Sequence, residues 1–236
     1  MQIIGHRGAP DQAHENTLDS FEKAIAAGAE IVELDVRSTA DGRLAVIHDL
    51  SLAGSKVSET SFEELGRMAA KENFSVPDLS AALRTMAGKA KAQIEIKERG
   101  YEEAVVKTAL SLLRLSEFSI ISFRFDVLEK IRRQFENAEL GLILSPGRGH
   151  MAQLLNFLLN WRKVFRIANY FALEAGLAKT KFIRLIPKRF PVSVWTADDP
   201  DEITKFVKNS RLFAVASNKP GLAREILDQI TNKSDL

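Results

Sequence analysis

The chain has 236 residues and no cysteine, which excludes disulfide scaffolds, thiolate metal sites and a cysteine nucleophile. Hydrophobic residues are 45% and charged residues 27%, an ordinary globular balance that excludes collagen-like, disordered and coiled-coil chains. Lysine and arginine number 33 against 31 aspartates and glutamates, and a net charge of +2 is too even to argue for a nucleic-acid partner.

At this length a single domain over residues 1–236 is expected, with enough chain to bury a substantial core. Met1-Gln2 runs straight into Ile3-Ile4-Gly5-His6 without a basic leader. No window reaches the ~18 uncharged apolar residues of a membrane span. A cytoplasmic protein is expected, and the oligomeric state is not encoded legibly.

In chain order, a β-rich run Gln2–His6 precedes a helical pattern Thr17–Ala27. The run Ile31–Val36 is followed closely by another, Leu44–His48, and then by helical patterns Ser61–Ala69 and Leu79–Met86. Next come the run Ala92–Lys97, helix Glu102–Leu115, run Ser119–Phe123, helix Asp126–Asn137 and run Leu140–Leu144. Helix Ala152–Val164, runs Tyr170–Glu174 and Val192–Trp195, helix Pro200–Lys208, run Leu212–Ser217 and helix Leu222–Ile230 complete the pattern. Strands alternating with helices imply βαβ units and a parallel sheet. Only Arg37 to Arg43 separate Val36 from Leu44, too few for a parallel crossover of at least ~10 residues. That link contains Asp41-Gly42, a hairpin-turn pair. Setting Leu44–His48 aside as an antiparallel return leaves eight parallel candidates. The expected fold is therefore α/β, a (β/α)8 TIM barrel with a β-hairpin over about residues 31–48 at its C-terminal mouth. An open doubly wound sheet is the alternative.

Barrel strands should be apolar, yet several carry charge near their C-terminal ends. His6-Arg7 follows Ile3-Ile4, Glu33 and Asp35 share one face of their strand, and Glu95 and Lys97 share one face of theirs. Active sites of such barrels lie at that end, and the hairpin returns His48 to it. Three carboxylates on one rim need a cation, and oxygen donors without cysteine suit Mg2+ or Ca2+. Arg7 and Lys97 beside them would hold an anion, with phosphate the leading candidate. His6 and His48 supply proton transfer near neutral pH. Each motif alone also has a bland reading, as an edge ion pair, a structural histidine or a turn cap. Their convergence at one end of the strands favours phosphodiester cleavage. His14 and His150 read as loop residues without a role.

These residues resemble a known family. His6-Arg7-Gly8, Glu15-Asn16-Thr17, Gly28-Ala29-Glu30-Ile31-Val32-Glu33-Leu34-Asp35-Val36, Thr39-Ala40-Asp41-Gly42 and His48-Asp49 are similar to the motifs of glycerophosphodiester phosphodiesterases. Val76-Pro77-Asp78-Leu79, Ile94-Glu95-Ile96-Lys97, Ser122-Phe123 and Trp195-Thr196 follow in the family's order. The resemblance implies a (β/α)8 barrel that hydrolyses small glycerophosphodiesters to sn-glycerol 3-phosphate and an alcohol. It implies His6 and His48 as the acid–base pair, Glu33, Asp35 and Glu95 as ligands of Mg2+ or Ca2+, and Arg7 and Lys97 on the phosphate. It implies Trp195 as a wall of the glycerol pocket or as rim packing, and Phe123 as either of the same two. Glu15 and Asn16 either orient the ligands or open the first helix, where Asn16 or Thr17 would act as a cap.

Ser217-Asn218-Lys219-Pro220 departs from the family's Thr-Asp-x-Pro and removes a carboxylate there. The stretch from Pro146 to Arg189 resembles the family little, and the segment between His48 and Ala92 is a modest cover that would leave the site open to bulky alcohols. Two alternatives follow. One is a lysophospholipase D-like enzyme at membranes: in Met151–Ala168, Gln153, Asn156, Asn160 and Lys163 lie opposite Leu154, Phe157, Leu158 and Trp161. Packing of that apolar face on the barrel is the preferred reading, with peripheral membrane contact second. The other is a non-catalytic phosphate-binding barrel, against which the intact set His6, Glu33, Asp35, His48 and Glu95 argues.

Overall fold

The structure, a computed structural model, describes residues 1–147 and 151–234. Its strands are β1 (Gln2–Gly5), β2 (Ile31–Ser38), β3 (Leu44–Val46), β4 (Ser51–Leu52), β5 (Ser55–Lys56), β6 (Lys91–Ile96), β7 (Phe118–Ser122), β8 (Leu140–Leu144), β9 (Tyr170–Glu174), β10 (Val192–Trp195) and β11 (Ala214–Ser217). Its helices are α1 (Leu18–Ala26), α2 (Phe62–Lys71), α3 (Leu79–Met86), α4 (Glu102–Leu112), α5 (Phe125–Gln134), α6 (Met151–Leu159), α7 (Trp161–Ile167), α8 (Ala175–Ala178), α9 (Pro200–Val207) and α10 (Pro220–Ser234).

Among the described residues, eight parallel strands follow the order β1, β11, β10, β9, β8, β7, β6, β2, and pairing of β2 with β1 closes the ring. The open-sheet alternative is thereby excluded. β3 pairs antiparallel with β2, Val36 facing Val46 and Ser38 facing Leu44, as the short Asp41-Gly42 link requires. The strand ends at Val46, so His48 lies in the loop beyond it. A second hairpin, β4–β5, turns through Ala53-Gly54, a signal that the sequence reading passed over.

Strand alternation divides the core in two. Outward residues such as Val32, Leu34, Val36, Ile94, Ile96, Val192 and Val194 form one continuous cluster with the surrounding helices. Inward residues fill the barrel: Ile4, Ile31, Ala214 and Ala216 on one side, Ile121, Ile143, Tyr170 and Ala172 on the other. A satellite cluster of Ile47, Leu52, Val57, Leu65 and Ala69 anchors the β4–β5 hairpin and α2. Helix starts follow the capping rule: Thr17, Ser61, Asp78 and Asp199 each accept a backbone N–H of the first turn. One expectation needs correcting. The helix read over Ala152–Val164 is two helices, because Asn160 leaves helical geometry (φ −118°, ψ 24°) and starts α7.

Tyr170 spans the barrel floor. Its hydroxyl meets Gln93 Nε2 at 2.8 Å and Ser119 Oγ at 3.0 Å, all three residues being buried. The ring lies against Gly141, where an added Cβ would sit 2.6 Å from Tyr170 Cε2. Tyr170→Phe should cost about 1–3 kcal/mol by stranding buried polar groups, and Gly141→Ala should cost a comparable ~1–3 kcal/mol by overpacking. Denaturant unfolding of both variants checks this, and unchanged midpoints would remove the floor from the account of stability.

Candidate active site

The first βα loop is held in a costly conformation. Arg7 has φ 56° and Gly8 has φ 93°. A Cβ on Gly8 would also lie 2.7 Å from the Ser20 backbone, so only glycine fits there. This turn points the Arg7 backbone N–H at Glu33 Oε2 (2.9 Å), and the Arg7 carbonyl accepts from the Asn16 N–H (3.0 Å) and from Ser20 Oγ (3.0 Å). Asn16, itself at φ 57°, then brackets Asp35: Nδ2 donates to Oδ2 at 2.9 Å and Oδ1 accepts the Asp35 N–H at 3.1 Å. The cap of α1 is Thr17, leaving Asn16 free for this task.

On β2 and β6 the inward positions put Glu33, Asp35 and Glu95 together. All three are buried, and oxygens from each lie within 4.8 Å of one another. Two cations intervene. Lys97 Nζ reaches Glu95 Oε1 (2.8 Å) and Asp35 Oδ1 (3.1 Å), and Arg7 Nε reaches Asp35 Oδ2 (3.2 Å). Arg7 Nη1 also pairs with Glu15 Oε1 at 2.9 Å. Burial drives all three carboxyls toward their neutral forms. For Asp35, Lys97, Arg7 and the Asn16 bond overcome it, and its pKa falls well below the usual range. Glu33 has less cationic support and feels both other carboxylates, so its pKa is raised well above normal. Glu95 is pushed up to about 7 by burial, with Lys97 opposing and Asp35 reinforcing.

Both histidines line the same cavity, of about 510 Å³, as Glu33, Glu95, Arg7 and Lys97. His6 Nδ1 lies 2.8 Å from Asn218 Oδ1, and Asn218 Nδ2 donates to Asp198 Oδ2 at 2.6 Å. That second bond fixes the amide orientation, so the oxygen faces His6 and Nδ1 carries the proton. His48 Nδ1 lies 2.8 Å from Asp49 Oδ1, which makes Nδ1 its proton carrier too. Each ring therefore offers Nε2 to chemistry. Burial lowers both pKa values, helped at His6 by Arg7 and opposed at His48 by Asp35. Across the cavity, Ile121, Phe123, Ile143, Ala172 and Trp195 form an apolar half. Trp195 meets Phe123 edge-on at 5.6 Å and donates to the Ala172 carbonyl at 3.3 Å.

All ten residues singled out from sequence lie in or directly behind this cavity: His6, Arg7, Glu33, His48, Glu95, Lys97 and Trp195 line it, and Glu15, Asn16 and Asp35 support it. Sequence reasoning missed Arg37, Asp198 and the part played by Asn218. Arg37 pairs with Glu98 and donates to the His48 carbonyl at 2.9 and 2.7 Å, holding that loop in place. Period-two alternation from Glu33 and Asp35 places Arg37 on the same face and could have found it. The carboxylate absent from position 218 reappears at Asp198, one hydrogen bond further from His6; nothing local in sequence links the two. Of the other histidines, His14 stacks on Phe74 at 3.8 Å, and His150 lies outside the described residues.

Residues 6–221 match the model of the glycerophosphoryl diester phosphodiesterase family. The chain belongs to that family. It is accordingly an enzyme of the phosphoric diester hydrolase class. A glycerophosphodiester phosphodiesterase of Caldanaerobacter subterraneus is 26% identical over 236 residues, covering 87% of this chain and 89% of its own. Among solved structures, the glycerophosphodiester phosphodiesterase of Thermotoga maritima superposes with a TM-score of 0.80 at 24% identity, covering 96% and 98% of the two chains. A phosphodiesterase of Oleispira antarctica, solved with its product sn-glycerol-3-phosphate, superposes at 0.77 with 21% identity and 97% coverage of each chain. No helix among the described residues is long and apolar enough to cross a membrane.

The amide at 218 is required because it accepts from His6 while donating to Asp198. Asn218→Asp sets two carboxylates against each other and should destabilise the fold by about 1–3 kcal/mol. Asp198→Asn in the same chain should restore most of that stability, because the donor and acceptor then exchange places. A double-mutant cycle in denaturant measures the coupling, and a value near zero would refute it.

Proposed function

We propose that the enzyme hydrolyses glycerophosphodiesters to sn-glycerol 3-phosphate and an alcohol, with Mg2+ or Ca2+ held by Glu33, Asp35 and Glu95. The observation that carries this reading is the meeting of three buried carboxylates, Arg7, Lys97 and two Nε2-presenting histidines in one cavity. The charge count fits. Three carboxylates against Arg7 and Lys97 leave one negative unit, a divalent cation turns it into one positive unit, and a phosphodiester monoanion cancels that. When bound, the cation supplies fixed positive charge for the phosphoryl oxygens. The family in general depends on a divalent metal, and the Oleispira relative binds the product named here.

The chain's own groups divide the remaining work. Arg7 donates from Nη1 to Glu15, sets its Nε beside Asp35 as an ion pair, and keeps Nη2 for phosphate. Lys97 adds a compact charge beside it. One histidine deprotonates the nucleophile, either water or the glycerol 2-hydroxyl, and the other protonates the departing alkoxide. Their surroundings break the symmetry: burial and the Arg7 charge favour His6 as the neutral base, whereas the Asp35 and Asp49 carboxylates support the imidazolium form of His48 as the acid. Trp195 and Phe123 would wall the glycerol and its alcohol, with Glu15 and Asn16 steadying Arg7 and Asp35. We read residues 1–236 as one barrel domain. The reading places this hydrolysis in the cytoplasm, within glycerol and lipid metabolism.

His6→Ala and His48→Ala should each abolish turnover of glycerophosphocholine while calorimetric metal binding persists. Asp49→Asn should move the alkaline limb of the pH–rate profile downward by weakening the protonated form of His48. Activity retained in either alanine variant overturns the assignment.

Metal addition should stabilise the protein in a pH-dependent way. Glu95 titrates near 7 in the fold, against about 4.3 in an unfolded chain. Between those values the unfolded chain ionises first, so the metal-free fold loses stability as pH rises through 7. Glu33, also raised, acts in the same direction, whereas Asp35, lowered, acts only in stronger acid. Mg2+ or Ca2+ binds the ionised set, so the melting temperature should rise more at about pH 8 than at about pH 5.5. An equal rise at both, or none with Glu33→Gln and wild type alike, would remove the cluster as the metal site.

A further inference from the structure

Charge is distributed unevenly along this nearly neutral chain. Residues 151–190 hold eight basic residues and one acidic residue, Glu174, a net of +7. The whole chain is +2, so the other 196 residues carry −5. Within this stretch Lys163 pairs with Glu129 and Lys179 with Glu202. Arg162, Arg166, Lys181, Arg184, Lys188 and Arg189 are exposed and have no carboxylate partner among the described residues.

The same stretch exposes apolar surface. Six of the ten exposed large apolar side chains among the described residues fall here: Met151, Leu155, Leu158, Leu159, Trp161 and Leu185. Leu159 is 72% exposed, Leu185 56% and Leu155 54%. On α6 the first four follow i, i+4, i+7, i+8 spacing and share a face. The barrel does not use that face, because Phe157 and Leu154 pack inward on another side of the helix. The expected amphipathic segment thus has two apolar faces, one for the core and one without a partner.

The location adds weight. α6 follows the C-terminal end of β8, and a 3-10 turn at Lys181–Leu185 follows β9, so both belong to connections that leave the mouth. Phe157 meets Phe182 at 5.7 Å and ties the two together, while Phe165 joins α7 to Phe190 by stacking at 4.8 Å. Leucines and a tryptophan set among unpaired cations match an anionic lipid surface: the apolar side chains enter the headgroup boundary and the cations meet its charge. A second copy fits poorly, because a two-fold contact would face +7 with +7.

We propose that the face built from α6, the start of α7 and the Lys181–Leu185 turn docks the enzyme on anionic bilayers, holding the barrel mouth close to lipid. This goes beyond the hydrolytic reading and does not depend on it. The full chain should sediment with mixed phosphatidylcholine–phosphatidylglycerol vesicles, not with phosphatidylcholine alone, and should be released by high salt. L155S/L159S and R162Q/R166Q/K181Q should each lower partitioning about tenfold or more. Both should keep wild-type melting temperature and wild-type turnover of water-soluble glycerophosphocholine. Failure to sediment with anionic vesicles at low salt, or binding that both variants retain, overturns the proposal. So does a dimer, seen by light scattering, that L155S/L159S dissociates while no vesicle binding occurs. An inactive wild type that still binds vesicles counts against the hydrolytic reading alone.

Discussion

Mutual repulsion among three buried carboxylates is the constraint around which the rest of the site is arranged. Glu33, Asp35 and Glu95 come from two neighbouring strands, and the barrel's inward alternation leaves them nowhere else to point. Burying such a set is unfavourable unless every charge has a partner. Lys97, Arg7 and Asn16 are those partners, and all three converge on Asp35. Glu33 and Glu95 are left with raised proton affinity, which marks where a dication would be most strongly stabilised.

The strained first loop follows from the same constraint. Left-handed backbone at Arg7, Gly8 and Asn16 places one guanidinium, one amide side chain and one backbone N–H around two carboxylates. Such conformations cost of order 1 kcal/mol or more each and persist where surrounding contacts overdetermine them. Here the contacts are specific: Ser20 closes over Gly8, and the Asn16 N–H returns to the Arg7 carbonyl. Arginine fixed in this way has little freedom left to lose when an anion arrives.

The two histidines illustrate how distant segments tune one chemistry. His6 is oriented by Asn218, 212 residues away, and that amide by Asp198. His48 takes its partner from the next residue, Asp49, and its loop from Arg37. A tautomer is thus set once by tertiary contact and once locally. On the opposite side of the cavity Ile121, Phe123, Ile143, Ala172 and Trp195 supply a largely apolar wall, so the cavity has a charged half and a mainly apolar half. The basic, leucine-bearing face near the mouth lies outside both.

Much of this protein was legible in one dimension. Strand and helix alternation, the seven-residue Asp41-Gly42 link and charged residues ending apolar runs pointed to a barrel with a mouth-side hairpin and to His6, Arg7, Glu33, Asp35, His48, Glu95 and Lys97 at its mouth, while Glu15, Asn16 and Trp195 came from the family resemblance alone. Those features are local, fixed by side-chain period and loop length. Closure of β2 onto β1, the break at Asn160 and the β4–β5 turn needed the assembled chain or went unread. So did Arg37, missed by one step of the same alternation. The Asp198–Asn218–His6 line was beyond any sequence pattern, because its members are joined only when β1, β10 and β11 become neighbours. Which leucines of α6 face the barrel and which face solvent was likewise a tertiary decision: helical spacing defines a stripe, and only packing says what covers it.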